Sequence, residues 1–171
     1  RRLAYSMMGV QDSERVMMVQ FHQSYSYEDF IMGYRPTENG GFILKNGPFY
    51  NFCKKAENDS DNDYFFIIDE INRGEISKIF GELFFSIDPS YRGVDENGKP
   101  KGLVKTQYQN LVDEDDEFHE GFFVPENVYI IGTMNDIDRS VESMDFAFRR
   151  RFAFKEIKAE ENIGMLDNLD S

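Results

Sequence analysis

The sequence is short of the residues that most often announce a function. It has one cysteine, Cys53, so no internal disulfide is available, and a reducing, cytoplasmic setting is expected. Its two histidines, His22 and His119, lie far apart with only Cys53 between them, which leaves no zinc-ligand spacing. Cations are scarce: 19 Lys and Arg stand against 32 Asp and Glu, a net charge of −13. That balance argues against a nonspecific grip on nucleic acid, which needs phosphate-neutralising side chains. Long apolar runs are absent. The longest span only a few residues, such as Phe65 to Ile68, which excludes a transmembrane helix. The opening Arg1-Arg2-Leu3-Ala4-Tyr5 has neither an apolar signal core nor a Met, so the chain is expected to belong to something longer.

What is present suits one folded domain. The chain has 171 residues, of which 40% are apolar and 15% aromatic, with 17 Phe and 9 Tyr. That supply is enough for a real core. Leu3 to Met8 reads as the end of a helix that stops at Gly9. Val16 to Phe21 reads as a buried strand. Ser24 to Ile31 suits a helix start, and Arg35 to Gly47 a loop with room for a short hairpin. Pro48 sits well at a first helical position, with the helix continuing to Glu57. Asn58 to Asp63 is an acidic, exposed loop. Tyr64 to Ile68 is the clearest strand, continuously apolar as a parallel strand covered on both faces would be. Ile76, Ile79, Phe80, Leu83, Phe84 and Ile87 recur at helical steps and predict one helix. Leu103 to Leu111 and Gly121 to Val124 suit a hairpin around the acidic tip Asp113 to Glu117. Val128 to Gly132 is a second parallel-type strand, Ser140 to Phe148 a short helix, and Phe152 to Ile157 a last strand. The acidic tail after Lys158 suits the start of another helix.

Strands alternating with helices make the class α/β with a mostly parallel sheet. Ligands bind such sheets beyond the carboxyl ends of the strands. The two best strands both finish there in chemically useful side chains, Asp69-Glu70 and Asn135. An acid so placed can hold Mg²⁺, directly or through water, and a second can polarise an attacking water. The same pair would also suit a helix start, where the dipole favours acids. Asn135 can reach the same water or a terminal phosphate, or simply occupy a turn. Arg149-Arg150-Arg151 either pair with surface acids or stabilise transition-state charge in a neighbour's site.

The string Ile67-Ile68-Asp69-Glu70-Ile71-Asn72-Arg73, followed by Ser77-Lys78-Ile79-Phe80-Gly81-Glu82, resembles the Walker B segment of the McrB family. These proteins are the AAA+ GTPase motors of modification-dependent restriction systems. The resemblance extends to Val19 through Phe30, Val124 through Gly132, Met134-Asn135, Asp138-Arg139-Ser140 and Arg149-Arg150-Arg151-Phe152. It is weakest at Asp88 to Glu120 and after Lys158. It implies a partial P-loop NTPase AAA+ core over residues 1–158, in which the hairpin read above is an insertion at about 101–124, and a link toward a lid from 159 to 171. Asp69 would organise Mg²⁺ and Glu70 would activate water. Asn72 and Arg73 would line the subunit boundary near the nucleotide. Asn135 would be the sensor asparagine, with Asp138 and Arg139 completing its signature. Arg150 and Arg151 would reach a neighbouring subunit's nucleotide.

The resemblance further implies GTP or ATP as substrate, self-association into a ring, an McrC-like nuclease partner and modified DNA bound through other domains. Two departures qualify it. Asp136 adds an acid where the family usually reads Met-Asn-Thr-Ala-Asp. No Gly-x-x-x-x-Gly-Lys-[Ser/Thr] occurs, so the Walker A loop and its strand are missing and the chain by itself is expected to bind nucleotide poorly. The rivals are a MoxR or dynein-related ATPase that remodels its partners, and a nucleotide-gated assembly module without turnover. Asp59, Asp61, Asp63 and Glu70 mimic the spacing of a calcium loop, but Tyr64 replaces the required glycine. The aromatics from Phe21 to Phe30 lack interleaved cations and read as core rather than as a stacking platform for single-stranded nucleic acid.

Overall fold

The computed structural model describes residues 1–134 and 146–157. In chain order the elements are Arg2–Met8 (α1), Val16–Gln20 (β1), Tyr27–Phe30 (α2), Met32–Pro36 (β2), Phe42–Asn46 (β3) and Pro48–Glu57 (α3). Then come Tyr64–Asp69 (β4), Ile76–Phe80 (α4), Leu83–Ser86 (α5), Val128–Gly132 (β5) and Phe146–Arg149 (α6). β1, β4 and β5 form a parallel sheet in the order β1-β4-β5. β2 and β3 form a separate antiparallel hairpin.

Local chemistry accounts for the boundaries. α1 stops at Gly9, whose φ of 69° is left-handed. Ser26 caps α2 by accepting from the Asp29 backbone N–H. Pro48 opens α3, and Lys54 and Lys55 fall in its last turn, where the helix dipole favours cations. Phe49, Phe52, Cys53 and Ala56 recur at helical spacing and are all buried.

β4 holds the two faces of the sheet together. Tyr64, Phe66 and Ile68 point into a large core shared with α2, α3, α4 and α5. Phe65 and Ile67 point the other way, into a smaller cluster with Ala4 and Val16. Phe30 is the hub of the large core. It is fully buried, and its ring contacts Phe21, Tyr25, Phe49, Phe66 and Phe80 at centroid distances of 4.9–6.1 Å. Such pairs add to the stabilisation from area burial alone.

Several expectations need correcting. The helix read across Ile76 to Ile87 is two short helices. Gly81, at φ 53° and ψ −130°, takes a backbone conformation that suits glycine, so the apolar period continues through a broken axis. β1 is an edge strand, and only Val16 in it is buried. The hairpin read within Arg35 to Gly47 begins earlier, at Met32. Residues 153–157 form no strand; instead Phe152 and Phe154 pack on Phe148. Of the helix read from Ser140 to Phe148, only its end in α6 lies within the described residues.

Between residues 101 and 124 the described pairing is a single antiparallel bridge, Val104 with Phe122. The acidic tip is not simply solvated. Asp116 accepts from the Tyr50 hydroxyl at 2.9 Å and from Lys54 Nζ at 2.8 Å. Glu117 accepts from Asn58 and pairs with Lys54, and these partners hold its carboxyl down at about 2. Arg92 closes the base of the same segment by donating to the carbonyls of Pro125 and Val128.

Truncating the hub is the sharpest test of this core. Phe30→Ala is expected to destabilise the domain by about 3–5 kcal/mol. A chemical-denaturation midpoint indistinguishable from that of the unaltered protein would contradict the packing described.

Candidate functional site at the carboxyl end of the sheet

The parallel register brings three strand ends to one level. Gln20 of β1 lies opposite Asp69 of β4, and Ile68 lies opposite Gly132 of β5. The backbone joins continue past the strands. Phe21 N–H donates to the Asp69 carbonyl, Thr133 N–H to the Ile68 carbonyl, and Ile71 N–H to the Thr133 carbonyl. The chain leaving β4 is thereby tied to both neighbours. Gly132 leaves room for the Ile71 side chain beside this last join, because a Cβ there would lie 2.9 Å from Ile71 Cδ1.

Two carboxylates stand at this rim, both half-buried. The Thr133 hydroxyl donates to Asp69 Oδ1. Gln20 Nε2 donates to Glu70 Oε2 at 3.0 Å, and Arg73 Nε lies 3.2 Å from the same oxygen. Glu70 has φ 52° and ψ 44°, the only left-handed non-glycine residue among those described. A β-carbon disfavours that conformation by about 1–2 kcal/mol. The strain therefore sits at the residue whose chemistry the sequence singled out.

The two acids do not cap the following element with their side chains: no side-chain cap bond is made at the turn Ile71–Arg73 or at α4. The calcium-loop spacing also dissolves. Asp59 accepts from Asn62 and the Tyr64 hydroxyl before β4 begins, whereas Glu70 lies beyond its other end, roughly 20 Å along a strand of this length. Among the described residues no group of three His, Cys, Asp or Glu side chains is placed to hold a metal ion. His22 stays beside Tyr25, edge to face, and its Nδ1 accepts from Ser24 N–H.

Of the residues singled out from sequence, the structure brings Asp69, Glu70 and Arg73 together, with Asn72 in the same turn Ile71–Arg73. Asn135, Asp138 and Arg139 lie outside the described residues, although β5 ends at Gly132 and the next residue, Thr133, bonds Asp69. Arg150 and Arg151 follow α6 and face Asp88 instead, at 3.8 and 3.9 Å. Sequence reasoning missed Gln20 and Thr133. Each is a polar residue at the end of an apolar strand, the same signal that marked Asp69.

The strain at Glu70 has a measurable signature. Glu70→Gly is expected to be more stable than Glu70→Ala by about 1 kcal/mol, since glycine takes a left-handed conformation without penalty. Equal thermal midpoints for the two variants would show that the backbone at this position is relaxed.

Residues 1–152 match the AAA domain (dynein-related subfamily). The chain is 54% identical over 159 residues to the type IV methyl-directed restriction enzyme EcoKMcrB subunit of Escherichia coli strain K12, covering 92% of this chain and 32% of that protein. It is 28% identical over 138 residues to the type II restriction enzyme BsuMI component YdiS of Bacillus subtilis strain 168, covering 81% and 39%. It thus spans about a third of the length of these relatives. A solved structure from Cytophaga hutchinsonii matches 91% of this chain at 14% identity, but with a TM-score of 0.37 it carries no argument. A two-faced sheet with a parallel, acid-tipped central strand and this match over most of the sequence lead to one assignment: the chain belongs to the dynein-related subfamily of AAA domains and is McrB-like.

Proposed function

We propose that this chain is part of the nucleoside-triphosphate-hydrolysing AAA+ module of a restriction complex acting on modified DNA, a module that turns over in the full-length protein with GTP as the preferred substrate. The observation that carries the reading is the Asp69-Glu70 pair at the carboxyl end of β4, flanked by Gln20 and Thr133 from the adjoining strands. Both curated relatives are restriction components by name, which supports the setting.

Asp69 suits Mg²⁺. It presents one carboxylate, steadied by a hydroxyl, at the mouth of the sheet. Mg²⁺ takes few protein oxygens when phosphates and water complete its shell, and when bound it would neutralise phosphate charge. Thr133 aims the Asp69 carboxylate. Glu70 orients the attacking water and draws off its proton. Gln20 and Arg73 fix the Glu70 carboxylate by bonding one oxygen, which leaves the other for the water. Asn135, two residues beyond Thr133, holds the terminal phosphate or the same water, and Asp138 and Arg139 complete its signature.

Hydrolysis belongs between subunits of a ring. Asn72 and Arg73 line the boundary, while the Arg150-Arg151 pair serves the neighbour's nucleotide through its exposed member, Arg150, since an arginine there stabilises charge that develops in the transition state. DNA reading falls to other domains of the full-length protein, and strand scission to an McrC-like nuclease partner. A second reading, an ATP-driven remodelling module, draws on the dynein-related description of the family. A scaffold without turnover is disfavoured, because it has no use for a strained second acid at the site.

Glu70→Gln in the full-length protein is expected to lower hydrolysis by at least a hundredfold while nucleotide binding persists. Unchanged turnover would remove Glu70 from the chemistry. Running the unaltered protein with GTP and with ATP in the same assay decides between the two readings, with faster GTP hydrolysis expected.

A further inference from the structure

The two arginines assigned above to the neighbouring site are held very differently. The Arg150 side chain is 58% exposed, whereas that of Arg151 is 6% exposed. The Arg151 guanidinium lies over the Phe84 ring, 4.2 Å from its centroid, and donates to the Ala147 carbonyl within its own turn. Its Nε is buried and makes no hydrogen bond among the described residues. Asp88 closes the arrangement from the other side. One of its oxygens accepts from Ser90 N–H at 3.0 Å, and the other faces both arginines, at 3.8 Å from Arg150 Nε and 3.9 Å from Arg151 Nε. Asp88 is itself nearly buried. A carboxylate there is a lasting charge, since the Ser90 N–H and then the two guanidinium groups hold its carboxyl below the usual range.

A ring face binds a desolvated guanidinium more strongly than an exposed one, and a carboxylate fixed by its own backbone turn cannot follow a wandering cation. Phe84 and Asp88 therefore define where residue 151 sits. Because residues 150 and 151 are adjacent, they also define where Arg150 leaves the surface. We propose that Asp88 and Phe84 are positioning residues for the trans-acting arginine: they anchor Arg151 inside its own protomer and so aim Arg150 at the neighbouring subunit. This rests on the proposed inter-subunit site, and neither residue touches the nucleotide in it.

The test uses the full-length protein and a double-mutant cycle. Asp88→Asn keeps the side-chain shape and the bond from Ser90 but removes the charge. Phe84→Leu keeps an apolar contact but removes the ring face. Each is expected to lower turnover about tenfold or more, with affinity for a non-hydrolysable nucleotide unchanged. Neither should lower turnover further when added to Arg150→Ala, because both act through that arginine. Multiplicative losses in the double variants, or full turnover in both single variants, would overturn the positioning role. Full turnover in Arg150→Ala alone would instead overturn Arg150's part in the site on which this inference rests. If Asp88→Asn lowers the thermal midpoint, Phe84→Leu and its double variant with Arg150→Ala still decide the matter.

Discussion

The structure depends on how β4 is buried. Its first five residues are shielded from water on both faces, so the strand can end only where the chain turns polar, and it does so at Asp69 and Glu70. Parallel pairing on either side then fixes what stands next to that exit. Antiparallel neighbours would have brought their own starts or loops to the same level. Here they bring their ends, Gln20 on one side and Thr133 on the other. The acids are placed by hydrophobic burial and backbone pairing, and the side-chain bonds around them refine a position already determined.

The two faces of the sheet are unequal. One carries a deep aromatic core with Phe30 at its centre, drawing α2, α3, α4 and α5 together. The other carries Phe65 and Ile67 with Ala4 and Val16. The heavier face gives the rim its rigidity, and rigidity there is what a strained residue needs. Glu70 holds a left-handed backbone because the segments on either side of it are bonded to adjoining strands and cannot relax. Strain is kept at this residue of the candidate site by order elsewhere, a common arrangement where geometry matters to chemistry.

Much of this was legible in the sequence because burial leaves a pattern. The unbroken apolar run from Tyr64 to Ile68 predicted a parallel strand covered on both faces, and its abrupt acidic end predicted the rim. Pro48 and Gly9 marked helix boundaries by their backbone preferences. What escaped was non-local. Gln20 and Thr133 become partners of Glu70 and Asp69 only once register is known, and no spacing along the chain records it. Gly81 hid a break inside a perfect helical period, since apolar spacing reports which face is buried and not whether the axis is continuous. Phe152 and Phe154 read as strand because aromatics favour strands, yet Phe152 stacks on Phe148 and Phe154 meets it edge to face. Arg150 and Arg151 looked equivalent in sequence and differ almost tenfold in exposure, a distinction made by Phe84 and Asp88, more than sixty residues earlier.

The clasp made by Arg92 on the carbonyls of Pro125 and Val128 bears on how this architecture tolerates change. It staples the two ends of a long excursion immediately before β5 begins. Whatever length of chain runs between those ends, the strand that follows starts from the same place, and closing a somewhat longer loop costs only a fraction of a kcal/mol more. That freedom belongs to the exposed turns of the excursion alone, because its returning limb buries Phe118 and Phe122 against Tyr50 and so forms part of the same core that backs the sheet.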